Sequence, residues 1–179
     1  MATTLTRPMT VEEFDKLPET GPFYYELHKG ELVQVPRPNH GHYRTQHQLR
    51  RLLETAAGDS GIVETEFAFR ALPEHEFRVA DVAYVSQERW DQIDPKDNLR
   101  GAPDLVIEVL SPSNTAAEMS KRERLCLENG CREFWVVDAD LRQVKVSTPD
   151  GITTTYRDGQ EIPLRLFGSA SLKVNAIFS

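Results

Sequence analysis

The apolar positions of this chain change period several times, and each change marks an element. Thr10 followed by Glu13 has the form of a capping box and predicts a short helix through about Leu17, stopped by Pro18. YYEL and ELVQV then flank His28-Lys29-Gly30 as two strands of a hairpin, with Gly30 taking the positive φ that a tight turn needs. Pro36 to Asn39 breaks the pattern. Asn39 caps a long helix to about Ala57, in which Tyr43, Leu49, Leu52, Leu53 and Ala56 form an apolar stripe that Gly58 ends.

Three strand-like runs follow: IVETEFAFR (62–70), VADVAYV (79–85) and DLVIEVL (104–110). The last is nearly continuous in apolar residues, as in strands buried on both faces of a sheet. Thr115 with Glu118 is a second capping box, opening a helix that runs to Asn129 and closes at Gly130. Strand character resumes in EFWVVD (133–138), so residues 104–138 read as a β-α-β unit with two parallel strands. QVKVSTP and GITTTYR alternate with the turns Pro149-Asp150-Gly151 and Asp158-Gly159, as in an antiparallel sheet edge. The fold class expected is α/β or α+β: a mixed sheet of about six or more strands flanked by helices, with antiparallel C-terminal strands.

Length and composition narrow this further. With 179 residues, 39% of them apolar, the chain is expected to form a single domain over residues 1–179 with a sufficient core of its own. Its two cysteines, Cys126 and Cys131, have neither disulfide-framework nor zinc-knuckle spacing, and no stretch is long and apolar enough for a membrane span or a signal peptide. A soluble, cytoplasmic protein with no membrane partner is the expectation. There are 21 Lys and Arg against 28 Asp and Glu, a net charge of −7 that argues against a generic phosphate-coating protein. That charge is unevenly spread. From Leu32 to Leu53 there is no acid, while Arg37, Arg44, Arg50 and Arg51 contribute +4, so the rest of the chain carries −11. The segment is either a solvated helix face or a phosphate-facing surface.

Candidate chemistry lies in acids embedded in apolar strands. Asp81 sits in VADVAYV, and Glu108 sits in DLVIEVL on the same face as Val106 and Leu110. A carboxylate there loses hydration unless it is paired, hydrogen-bonded or bound to metal. One such acid is commonly structural. Two on neighbouring strands make a hard oxygen site suited to Mg²⁺. Asp104, four residues before Glu108 and about 13 Å along the strand at ~3.3 Å per residue, is too far to share an ion. Hydrolysis of a phosphodiester also calls for a cation, and Lys121 and Arg122 lie in the first two turns of the helix after Glu108. Glu118, Glu123 and Glu128 offer those cations ordinary helix-face pairing instead. No Gly-rich phosphate loop, nucleophile elbow or H-E-x-x-H is present.

YELHKGELV (25–33), His42 after the Pro36-x-Pro38 turn, VADVAYV, GAPDLVIEVLSPSN (101–114) and GCREFWVVD (130–138) together resemble a known family. It is a large bacterial family of restriction-endonuclease-like proteins within the PD-(D/E)XK nuclease superfamily, and the resemblance covers roughly residues 9–178. It implies a central mixed sheet flanked by helices, hydrolysis of a DNA phosphodiester dependent on Mg²⁺ or Mn²⁺, and a homodimer. Carried over by motif, Asp81 and Glu108 would ligate the metal, with the Val109 carbonyl beside them, and Glu31 would be an additional catalytic acid. His42 would contact phosphate or order Glu31, and Arg44, Arg50 and Arg51 would track the nucleic-acid backbone. The chain departs from the pattern in two places. Ala80 replaces the first motif's Pro, and Leu110 stands at the second motif's Lys. The following helix offers Arg122 or Lys121 instead, and an arginine positions phosphate without serving as a base. A binding module with a decayed site is the alternative reading, and a hydrolase of a small phosphorylated substrate a third.

Overall fold

The computed structural model describes residues 7–18, 24–36 and 38–179. The first capping box forms, Thr10 Oγ accepting from the Glu13 amide at 3.3 Å and the Glu13 carboxylate accepting from the Thr10 amide at 3.0 Å. The helix it starts, α1 (Val11–Phe14), is one turn long and so stops short of Leu17. Strands β1 (Tyr24–His28) and β2 (Glu31–Val35) form the expected antiparallel hairpin. Its turn places both Lys29 and Gly30 at positive φ, and a Cβ at residue 30 would collide with Pro8. Helix α2 (His40–Ala57) is capped by Asn39, whose Oδ1 accepts from the His42 amide at 3.0 Å.

The main sheet has seven strands. In chain order they are β3 (Gly61–Arg70), β4 (Arg78–Ser86), β5 (Leu99–Arg100), β6 (Leu105–Val109), β7 (Glu133–Asp138), β8 (Gln143–Ser147) and β9 (Thr153–Arg157). In space they run β5-β3-β4-β6-β7-β8-β9. The β6–β7 pair is parallel, as a β-α-β unit requires, and α4 (Ala116–Glu128) connects its strands. The β7–β8 and β8–β9 pairs are antiparallel. The strand β5 and the one-turn helix α3 (Gln87–Trp90) carry no strong sequence pattern and were not expected. At the C-terminus, β10 (Glu161–Pro163) and β11 (Ser171–Lys173) pair as a separate ribbon before the final turn α5 (Val174–Ile177).

Each face of the sheet has its own core. On one side Leu49, Leu53 and Ala57 of α2 pack on Val82, Leu105, Ile107, Val109 and Trp135. On the other side Met119 and Cys126 of α4 pack with Val106, Phe134 and Val136. Strand β6 supplies side chains to both cores and is buried throughout, which accounts for its continuous apolar run. Leu53 is wholly buried between α2 and the sheet. Leu53→Ala is expected to destabilise the fold by about 2–5 kcal/mol, read as a lower urea midpoint at unchanged m-value.

Candidate active site

The site forms where two strand ladders lose their regular pairing. Between β4 and β6 the pairs run from Tyr84–Leu105 to Val82–Ile107, and one further step would set Asp81 opposite Glu108. There the Asp81 side chain replaces the ladder, its Oδ2 accepting from the Val109 amide at 2.7 Å. On the other edge of β4, pairing with β3 skips the Glu66–Asp81 position, and Glu66 has a φ of +50°. A non-glycine residue in this left-handed region costs about 1–3 kcal/mol and persists only where its surroundings hold it.

Side-chain alternation inverts at this point in both strands. Val63 of β3 and Val82 and Tyr84 of β4 lie in the α2-side core, while Phe69 and Ala80 lie in the α4-side core. The inversion turns Asp81 and Glu66 toward α2. The buried stripe of α2, followed back from Leu53 and Leu49, arrives at Gln46 and His42. The Gln46 amide donates to Asp81 Oδ1 at 2.9 Å and to Glu66 Oε1 at 2.5 Å. His42 Nε2 lies 3.0 Å from Asp81 Oδ1, off the axis of a hydrogen bond. Burial opposes a charge on His42, but its contact with Asp81 and the negative charge of Glu66 raise its pKa above the usual value. Burial likewise raises Glu66, with Asp81 adding to the effect.

Glu108 points to the opposite face, against α4. Arg122 of that helix places Nε 2.9 Å from Glu108 Oε1, again off-axis, so both atoms are paired by charge but have no hydrogen-bond partner. Burial pushes the Glu108 carboxyl well up, and Asp81 and Glu26 add to this against the pull of Arg122. Arg122 Nη1 contacts both oxygens of Glu26 at 3.1 and 3.2 Å, and Nη2 donates to the Val79 carbonyl. Glu26 also takes the Val79 amide at 3.0 Å and His28 at 2.7 Å. Arg78 lies 3.6 Å from Glu26 and donates to the fully buried Glu76 at 2.7 Å. Burial works against ionisation of Glu26, yet Arg122, His28 and the Val79 amide hold its carboxyl at about 2.

The residues expected from sequence separate accordingly. Asp81 and His42 meet on the α2 side of the sheet, and Glu108 and Arg122 meet on its α4 side, at the register where β4 and β6 part. Glu31 joins neither pair: it is exposed at the start of β2, and the hairpin acid that reaches the cluster is Glu26, five residues earlier. His42 accordingly sits on Asp81 and does not order Glu31. Lys121 is exposed beside Glu118, so of the two adjacent cations only Arg122 faces Glu108. Arg50, expected on the nucleic-acid backbone, is committed to β3, where it bonds the Val63 carbonyl at 3.2 Å and Glu64 at 3.0 Å. Arg44 and Arg51 are exposed on α2, with Arg51 donating to Gln48. Asp104 is a structural staple, accepting from the Ser86 amide and pairing with Arg89.

Among the described residues no three His, Cys, Asp or Glu side chains gather in metal-ligating geometry. The donor set is therefore two carboxylates, Asp81 and Glu108, which suits a hard cation that keeps several waters. Two buried acceptors there have no aligned donor, Glu108 Oε1, which faces Arg122, and Gln46 Oε1. Such an atom costs about 1–3 kcal/mol and calls for an ion or a water. The residues present fit a divalent ion.

The family model described as "Uma2: Putative restriction endonuclease" matches residues 11–175. The chain belongs to the Uma2 family. Uma2 membership makes it a member of a nuclease family, one whose substrates are nucleic acids and whose restriction-endonuclease-like relatives generally use a divalent metal. A crystal structure of a "putative nuclease belonging to DUF820" from Anabaena variabilis superposes with a TM-score of 0.80 at 24% identity, covering 96% of this chain and 98% of that one. That likeness shows the fold, and the restriction-endonuclease-like core expected from sequence is the fold observed. No curated protein matches the Uma2 chain significantly. No helix among the described residues is long and apolar enough to cross a membrane.

Because Glu26 holds two buried arginines, Glu26→Gln is expected to destabilise the protein by about 3 kcal/mol, and Glu31→Gln to stay within about 0.5 kcal/mol. The sign with pH follows from a folded pKa of about 2, below the ordinary 4.5. The stabilisation by Glu26 is complete above the unfolded value and is lost as the pH falls from there toward 2. The gap in urea midpoint between wild type and Glu26→Gln should therefore be smaller at pH 3 than at pH 7.

Proposed function

We propose that this chain is an endonuclease that hydrolyses DNA phosphodiester bonds with Mg²⁺ or Mn²⁺. The observation that supports this reading is that Asp81 and Glu108 stand at facing positions where the β4–β6 ladder ends, each carrying or adjoining a buried acceptor without an aligned donor. Asp81 and Glu108 would hold the ion, with the Val109 carbonyl as the third protein ligand. Bound there, a divalent ion lowers the pKa of a water and stabilises the charge developing on phosphate oxygens.

The chain's own residues do the positioning. Gln46 and His42 fix the Asp81 carboxylate from α2, and the Val109 amide fixes it from β6, so it is presented in one orientation. Arg122 keeps positive charge at Glu108 and orients the attacking water, but it cannot take that water's proton. Arg44 and Arg51, exposed on α2, face the phosphodiester backbone of a DNA duplex. Glu31, exposed on its hairpin, acts at most on bound DNA from outside the cluster. We read the protein as a cytoplasmic homodimer, consistent with its two buried, unpaired cysteines and with the family resemblance.

A small phosphorylated substrate fits the surface less well. A groove of about 510 Å³ runs along the outer edge of β3, with Glu64, Glu66, Asp94 and Asp97 among its lining residues. Those carboxylates repel a free phosphate monoester. The binding-module reading has one observation in its favour, the arginine already seated against Glu108.

Incubating supercoiled plasmid with protein and Mg²⁺ or Mn²⁺ should give nicked and linear products. Asp81→Asn and Glu108→Gln should each reduce the rate by about 100-fold or more. Cleavage that survives either change would remove the assigned site. Arg51→Ala should leave the fold intact and flatten the dependence of DNA binding on log salt by about one unit of slope.

A further inference from the structure

We infer that Arg122 is the resident counter-ion of the metal pair, occupying Glu108 in the metal-free protein so that a divalent ion must take Glu108 away from it. The inference rests on the metal-dependent reading above. It comes from how unequally Arg122 is bonded. Nη1 holds both oxygens of Glu26, and Nη2 donates to the Val79 carbonyl. Neither partner is a candidate metal ligand. Nε faces Glu108 Oε1 at 2.9 Å with its N–H out of line, so neither atom has a hydrogen-bond partner. The guanidinium is thus bolted to two groups outside the ligand pair and meets the third, a ligand, in an ion pair whose N–H is out of line. That contact is the easiest of the three to exchange.

Arg122 cannot retreat when the exchange happens. Glu26 is itself fixed by the Val79 amide and His28, and α4 packs on the sheet through Met119 and Cys126. An arginine also keeps its proton at every working pH, so its charge persists beside the site. An ion taken up by Asp81 and Glu108 therefore sits next to a fixed positive charge and binds more weakly than the two carboxylates alone would allow. A lysine at 122 carries one compact ammonium on a flexible stem. Held by the buried Glu26, that ammonium leaves Glu108 free.

Calorimetric titration of Mn²⁺ alone into the full chain tests this without nucleic acid or turnover. Arg122→Lys is expected to bind Mn²⁺ about tenfold or more tightly than wild type, and Asp81→Asn to abolish binding in both backgrounds. Equal or weaker binding by Arg122→Lys, with Asp81→Asn still abolishing it, overturns the role of Arg122 and leaves the metal site standing. No binding by either protein overturns the metal-dependent reading and this inference together. A second measurement needs no variant. In wild type, the Arg122 Nε–H resonance should shift and exchange faster with solvent as Mg²⁺ is added; a resonance unmoved at saturating Mg²⁺ also overturns the inference.

Discussion

One buried guanidinium ties the functional half of this fold together. Arg122 reaches from α4 to the hairpin through Glu26, to β4 through the Val79 carbonyl and to β6 through Glu108. An isolated charge in such surroundings would be prohibitively costly, so Arg122 depends on its partners being present. Among the described residues the hairpin is tied to the rest of the fold by backbone bonds of Leu27 with Phe77 and of Gly30 with His75 and Met9, and the Glu26 ion pairs add to these.

The second constraint is the break in alternation at Glu66 and Asp81. A regular antiparallel strand would point Asp81 away from the face that holds Val82, into the α4-side core, where an acid beside Arg122 would simply complete an ion pair. Inverting both strands at one register position brings Asp81 to the α2 side instead, with its carboxylate between a helix and the freed Val109 amide. The strained φ of Glu66 is the backbone cost of that arrangement. Asp81 and Glu108 consequently approach the same gap between β4 and β6 from opposite faces of the sheet. The two carboxylates belong to elements that are each independently anchored.

Much of this architecture is legible in the sequence because it follows from periodicity and capping. The β6 run, the two capping boxes, the Lys29-Gly30 turn and the parallel β6–β7 pair all form where pattern places them. What was not legible depends on local irregularity or on tertiary pairing. Glu26 sits in an amphipathic hairpin strand next to exposed tyrosines, and nothing in YYELH distinguishes it from a solvated acid. Glu31, preceded by a glycine, looked the better candidate yet lies outside the cluster. Gln46 carried a signal that a hydrophobic count overlooks: it continues the buried stripe of α2 by one turn beyond Leu49, where a polar residue must have a buried partner. Glu66 was invisible because its role depends on a left-handed backbone within a strand. The pairing of Arg50 with Glu64 was not legible either, because charge along a sequence does not say which cations are paired across space.

The account centres on Asp81 and Glu108 sharing one divalent ion. A crystal structure of the protein grown with Mn²⁺, with data collected at the metal's absorption edge, tests it most directly. The account predicts one anomalous peak within about 2.1–2.5 Å of an oxygen of each residue, with Glu108 turned away from an Arg122 that stays on Glu26. A saturating Mn²⁺ soak that leaves the Arg122–Glu108 contact in place and puts no ion between the two carboxylates would contradict it.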